Sequence, residues 1–404
     1  MLQIIMEQRN RLKGNKLKWL MLCCVFFSLS LNAQQTISLK QAIDSSLKRS
    51  PQVQAAALQT LQSKQLHKSS VNLDNPEVLA ESPTGDFYTI GVQQSFDFPG
   101  TYVRQYQDQQ EQTKLAVIGK TISEIDLKQE ISRLYLDLQY RQAELALLKK
   151  QDSLYNAINL AAGRQFAAGT VDFLQKISVE SQYGQVHWQY EQSKTEYAAA
   201  QEQLSLFTGI APPYRVDSLG ASFIREKIDF NLSANPYIGY FNQQLLVNRR
   251  LLQVERNRFM PGFMFGYLNQ GPMSTPLTYR FRMGITVPLW FWQYNGRMQA
   301  ARTGIRIAEQ QNAAQVQQMS SRLINAHAEQ TKSTAALLYY EETGLKQAQG
   351  IEDAASRFFK GGETDYATYL RTLNDTYAIR LKHIEALRSY NMSVIQLNYL
   401  SGKL

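Results

Sequence analysis

The sequence predicts a mainly α protein with a small membrane β part. Its architecture is a long α-helical barrel, or tunnel, joined to four β-strands per chain that complete a 12-stranded trimeric β-barrel, all internally duplicated. Three observations predict it. The chain matches itself at an almost constant offset. Heptad-spaced apolar seams run far longer than an ordinary globular helix. One segment alternates apolar and polar residues with period two.

The self-match begins where SPQVQAAALQ from Ser50 meets NPYIGYFNQQ from Asn235, an offset of 185 that Pro76 and Pro261 share. From Gly91 and Gly284 onward the offset is 193. It holds through Arg164 and Arg357, Phe166 and Phe359, Gly169 and Gly362, Asp172 and Asp365, to Gly209 and Gly402. The eight extra residues of the second copy fall in a loop. The predicted organisation is a signal peptide (1–33), a first repeat (34–209), a linker (210–234) and a second repeat (235–404).

The N-terminal segment carries Arg9, Arg11, Lys13, Lys16 and Lys18, then the apolar run WLMLCCVFFSLSL and the small-residue site Asn32-Ala33. That is the layout of a secretory signal, too short for a comfortable membrane span. Removing it leaves 38 basic and 33 acidic residues, so the formal charge falls from +9 to +5. The remaining charges are interspersed, without the basic tract that nucleic acid requires, so no nucleic-acid partner is expected. Both cysteines, Cys23 and Cys24, leave with the signal, which excludes disulfides and thiolate metal sites from the mature chain.

Each repeat reads in the same order. Ser50-Pro51 and Asn235-Pro236 place a capping side chain before a proline, the signature of a helix start. About 25 residues of helix should follow, then two short strands. The clearest strand is Leu277 to Leu289, where Leu277, Tyr279, Phe281, Met283, Ile285, Val287 and Leu289 alternate with polar residues, glycine and proline. Its counterpart alternates Tyr88, Ile90 and Val92 with Thr89, Gly91 and Gln93. Shorter strands are expected near Val78–Ser82 and Phe263–Tyr267. The odd residues of the last strand and the even ones of its counterpart are the candidate lipid-facing set: Tyr88, Ile90, Val92, Tyr279, Phe281, Met283, Ile285 and Val287.

The period then changes. Leu127, Ile131, Leu134, Leu138, Leu145 and Leu148 form a heptad-like seam, with Arg141 filling one position, on a helix predicted from Thr101 to Arg164. The second copy predicts the same from Tyr294 to Arg357. Gly169 and Gly362 mark turns, and return helices run to Phe207 and Leu400.

An apolar sheet face in hydrocarbon must close into a barrel, and known membrane barrels have about eight strands or more. Four strands per chain cannot close alone, whereas three chains supply an even dozen. Phe96, Phe98, Trp290, Phe291 and Trp292 at the strand bases suit an interfacial aromatic girdle. The long helices could then pack side by side as a hollow cylinder.

Beyond the pattern, the residues resemble a known family, the TolC-type outer-membrane efflux proteins. ISLKQAIDSSLKRSPQVQAA (37–56) resembles the family's opening helix. RQFAAGTVDFLQ (164–175) and RFFKGGETDYATYL (357–370) resemble the helix-turn-helix at its periplasmic tip. QSFDFPGTYVRQ (94–105) and VPLWFWQYNGRMQAAR (287–302) resemble strand-to-helix transitions of the branch associated with heavy-metal and cation resistance. The resemblance implies a homotrimer in the outer membrane, in contact with its lipids, with most of the chain in the periplasm. It implies service as the passive exit duct of a tripartite efflux pump, partnered by a periplasmic adaptor (membrane fusion) protein and an inner-membrane pump of the resistance-nodulation-division type. It places tip and docking roles on Arg164, Phe166, Gly169, Thr170 and Asp172, and on Arg357, Phe359, Gly362, Glu363 and Asp365. Where some relatives carry two gate aspartates, Thr368 and Arg371 stand here, and Asp365 and Asp172 lie nearer the turns than those positions.

No catalytic motif is visible, and His67, His187, His327 and His383 are isolated in sequence. No enzyme activity, cofactor or resident metal is expected. Two other readings stay open: a duct for type I protein secretion, and a periplasmic structural coiled coil without a pore.

Overall fold

The structure, a computed structural model, describes residues 36–81, 89–220, 235–269 and 276–404. The expected signal peptide (1–33) and Tyr88 lie outside the described residues. The chain begins with β1 (Thr36–Ile37), α1 (Leu39–Arg49) and α2 (Pro51–Lys68). It continues through β2 (Glu77–Glu81) and β3 (Thr89–Phe96) into α3 (Pro99–Ala167), and returns along α4 (Phe173–Thr208) to β4 (Arg215–Val216). The second half repeats this with α5 (Pro236–Asn257), β5 (Gly262–Asn269), a 3-10 turn (Leu277–Arg280), β6 (Phe281–Thr286) and α6 (Phe291–Tyr339). A π-helical turn (Tyr340–Gly344), α7 (Leu345–Gly361) and α8 (Tyr366–Leu400) complete it.

The helix starts follow their caps. Ser50 accepts the amide of Val53 and Asn235 that of Tyr237, each with proline at the first helical position, where no amide hydrogen is needed. The helices they open are 18 and 22 residues long, shorter than the expected 25. Ser38 and Gln41 close a reciprocal capping box at α1. The 69 residues of α3 form one unbroken helix, roughly 100 Å at 1.5 Å per residue. Its seam is real: Leu127, Ile131 and Leu138 are buried, and Arg141 at the missing position bonds Glu144 and Glu196 at 2.9 and 2.5 Å. This seam packs with Ile37, Val53, Leu204, Tyr214 and Val216 into a mid-body core, where β1 and β4 pair in parallel.

The second long helix is not one rod. At Tyr340–Gly344 it widens into a π turn, whereas the matching positions of α3, Leu147–Gln151, are regular helix. Gly344 is buried there, and an added Cβ would lie 3.0 Å from the Tyr340 ring and 3.6 Å from Ile379.

The four longer strands form one antiparallel sheet in the order β2-β3-β5-β6. The strand expected over Leu277–Leu289 is shorter. Residues 277–280, following Pro276, curl into the 3-10 turn, so pairing begins at Phe281 opposite Tyr267. It ends at Thr286, two residues before Pro288, which has no amide to donate. Tyr279 therefore belongs to the turn and Val287 to the segment beyond the strand.

Candidate functional site

Two ends of the molecule carry the candidate residues. At the sheet, directly opposed residues share a face. The registers Val78↔Val92↔Tyr267↔Phe281, Gln94↔Phe265↔Met283 and Phe96↔Phe263↔Ile285 therefore build one largely apolar surface, interrupted by Gln94, that Ile90 extends. It is open to the surroundings: Val78 is 75% exposed, Met283 80% and Ile285 66%. Ile90, Val92, Phe281 and Val287 are exposed as well. The opposite face carries Glu77, Gln93, Ser95, Arg282 and Thr286, with Gln93 donating to Glu77 at 3.0 Å. Gly91 on that face makes room for buried Leu268, whose Cδ1 would stand 2.2 Å from an added Cβ. Among the described residues the sheet has two unpaired edges, β2 and β6. At its base Trp290, Phe291 and Trp292 are exposed and touch ring to ring at 5.2 and 5.6 Å.

At the other end, two turns of the same construction lie side by side. At the first, the amide of Gly169 donates to Phe166 O and that of Thr170 to Gln165 O, both at 3.0 Å. At the second, Gly362 donates to Phe359 O and Glu363 to Phe358 O, at 3.2 and 3.0 Å. These are paired Schellman closures, and both glycines sit at φ 75°, where a side chain would be strained. Three residues on, Asp172 accepts the amide of Gln175 and Asp365 that of Thr368, both at 2.7 Å. The Thr368 amide holds the Asp365 carboxyl below its ordinary range. Arg164 and Arg357 are exposed on the last helical turns.

All ten expected tip residues thus fall on these two turns, and one cluster joins them. Tyr155, Ile158 and Ala162 of α3, Val179 of α4, and Tyr366, Tyr369 and Leu370 of α8 pack together. Tyr366 donates to Gln165 across the two turns at 3.1 Å, and burial pushes its phenol pKa up. Phe359 stacks on Tyr369 at 4.3 Å. Sequence reading missed both this cluster and an apolar patch on the first turn, where Phe173 is 62% exposed and Leu174 75%. Setting Phe173-Leu174 against Tyr366-Ala367 in the repeat would have revealed the patch.

Among the described residues no group of three His, Cys, Asp or Glu could hold a metal ion. Among them, too, no helix is long and apolar enough to cross a membrane, which leaves the sheet as the apolar surface to account for.

Long paired helices joined to an apolar-faced sheet define a fold class, the helical tunnel joined to a β-barrel. Within that class the chain has the TolC-type fold, as the tip and transition motifs suggested. It is similar to CusC, whose structures concern folding and transmembrane channel formation, at a TM-score of 0.76 and 15% identity over 90% of this chain and 91% of that one. The Campylobacter jejuni CmeC outer membrane channel superposes with a TM-score of 0.74 and 15% identity, covering 90% and 85%. The Neisseria gonorrhoeae MtrE outer membrane channel, in its open state, gives 0.72 and 16%, covering 90% and 88%. No family model matches the sequence, and no curated protein matches it.

Proposed function

We propose that three copies of this chain close their sheets into a 12-stranded barrel in the outer membrane and align their helices into a periplasmic tunnel. The assembly would serve as the passive exit duct of a tripartite efflux pump. One observation carries the reading: a four-stranded sheet with one largely apolar exposed face and two open edges. Such a face needs lipid, and such edges in lipid need further strands. Helices about 100 Å long give the reach, and the similar structures are outer-membrane channels.

On this reading the two turns, with Arg164, Thr170, Arg357 and Glu363 exposed, are the periplasmic tip. They would meet a periplasmic adaptor that links the duct to an inner-membrane pump of the resistance-nodulation-division type. The domain boundaries at 33, 209 and 234 belong to the same proposal, with each repeat contributing one strand pair and one long helix. Light scattering and negative-stain imaging of the detergent-extracted protein test it. A hollow trimer roughly 100 Å or more in length is expected. A water-soluble monomer that needs no detergent would defeat the duct.

A further inference from the structure

Below the aromatic base of the sheet, the helix pair α5–α6 carries charge that nothing in the described residues neutralises. The two helices run antiparallel. Phe259 meets Tyr294 edge-on at 6.0 Å, and further down Asn312 donates to Asn242 at 2.9 Å. That alignment sets Arg256 level with Arg297, one helical turn below the Phe259–Tyr294 pair. Neighbouring helix axes lie about 8–10 Å apart, within the span of two arginine side chains. Both arginines are exposed. Two of the acids nearby are paired, while Asp97, exposed just ahead of α3 on the side of Asn257, forms no ion pair among the described residues. Glu255 is buried and bonds Arg258 at 3.0 Å, and Glu309, the first acid of α6, faces Arg249 at 3.6 Å. Arg256 and Arg297 form no ion pair among the described residues, and Arg302 and Arg306 add like charge on the next turns of α6.

Two arginines at one level of neighbouring helices lie within reach of a single anion, which would relieve their mutual, solvent-screened repulsion. The guanidinium fork matches a phosphate oxygen pair. Exposed tryptophans mark the depth where lipid headgroups lie, and here Trp290 and Trp292 stand one to two turns from Arg297 along α6. We propose that Arg256 and Arg297 clamp the phosphodiester of an anionic phospholipid in the periplasmic leaflet, fixing the depth at which the helices leave the membrane. This rests on the membrane reading of the sheet.

The test uses the full chain, purified in detergent and offered phosphatidylglycerol or phosphatidylcholine, with retained lipid counted by native mass spectrometry. The wild type should retain phosphatidylglycerol over phosphatidylcholine by on the order of tenfold, the scale expected for two interfacial arginines. Arg256→Gln with Arg297→Gln should erase the preference while leaving trimer yield and helix content unchanged. Arg256→Lys with Arg297→Lys, which keeps the charge and loses the fork, should retain part of it and guards against a misfolded double variant. Equal retention of the two lipids by the wild type would overturn the site. So would displacement of phosphatidylglycerol by excess inorganic phosphate, which would mark a free-phosphate site. A shift in the ion selectivity of the reconstituted channel with lipid preference intact would place the arginines in the lumen and also overturn it. Uptake of neither lipid would remove the membrane reading itself, a result separable from the others.

Discussion

The two tip turns share a backbone and differ in what they show to the outside. Positions 173, 176 and 177 of the first turn hold Phe, Lys and Ile; their counterparts 366, 369 and 370 hold Tyr, Tyr and Leu. In the second turn all three are buried, Leu370 completely. In the first, Phe173 and Ile177 are exposed, and Lys176 lies over the Phe166 ring at 5.5 Å. The glycine closure and the aspartate cap are constraints on φ and ψ, so both copies keep them. Which side chains the turn buries depends on which helices flank it, and there the copies have parted. A duplicated loop can thus hold its shape while one copy becomes core and the other becomes surface.

Four substitutions sharpen this contrast. Tyr366→Ala should cost the most, about 3 kcal/mol, because it empties a filled site and removes the bond to Gln165; the check is the thermal midpoint of the detergent-solubilised protein. A loss no larger than that of an exposed residue would mean the cluster does not hold the turns together. Asp172→Ala and Asp365→Ala should each remove about 1 kcal/mol and by similar amounts, since the cap geometry is the same. The Asp365 carboxyl is depressed by its hydrogen bonds, so its contribution is present above the ordinary value of 3.8 and fades as pH falls through the lower folded value. A pH titration of stability in wild type and Asp365→Ala would show the two curves converging only at that acid end. Phe173→Ala should be the mildest, within about 0.5 kcal/mol, as expected for a surface position. A large destabilisation there would show that the first turn is also core.

Much of the outline was readable because it is written in local rules. Glycine at positive φ followed by an N-capping aspartate, proline at a first helical position, and the heptad seam through Ile131 and Leu138 each need only a few neighbouring residues. The unread parts depend on residues far apart. The burial of Tyr366 comes from three other helices, and its bond to Gln165 spans 201 positions. The shortening of β6 comes from the 3-10 turn after Pro276 at one end and from Pro288 at the other, although alternation alone extends from Leu277 to Leu289. Nothing in the local sequence announces the π turn, since Tyr340–Gly344 continues a good helical pattern. Gly344 is the trace it leaves.

That widened turn has a mechanical consequence. A continuous α-helix shares any bending load among all its hydrogen bonds, and α3 offers 69 residues for the purpose. The helix of the second repeat is instead two pieces in series, 49 and 17 residues long, joined by a π turn, the kind of place where helices bend most readily. A sideways push at the Gly362 turn would be absorbed within the short piece and its joint. The same push at the Gly169 turn would be carried towards the sheet along the entire length of α3.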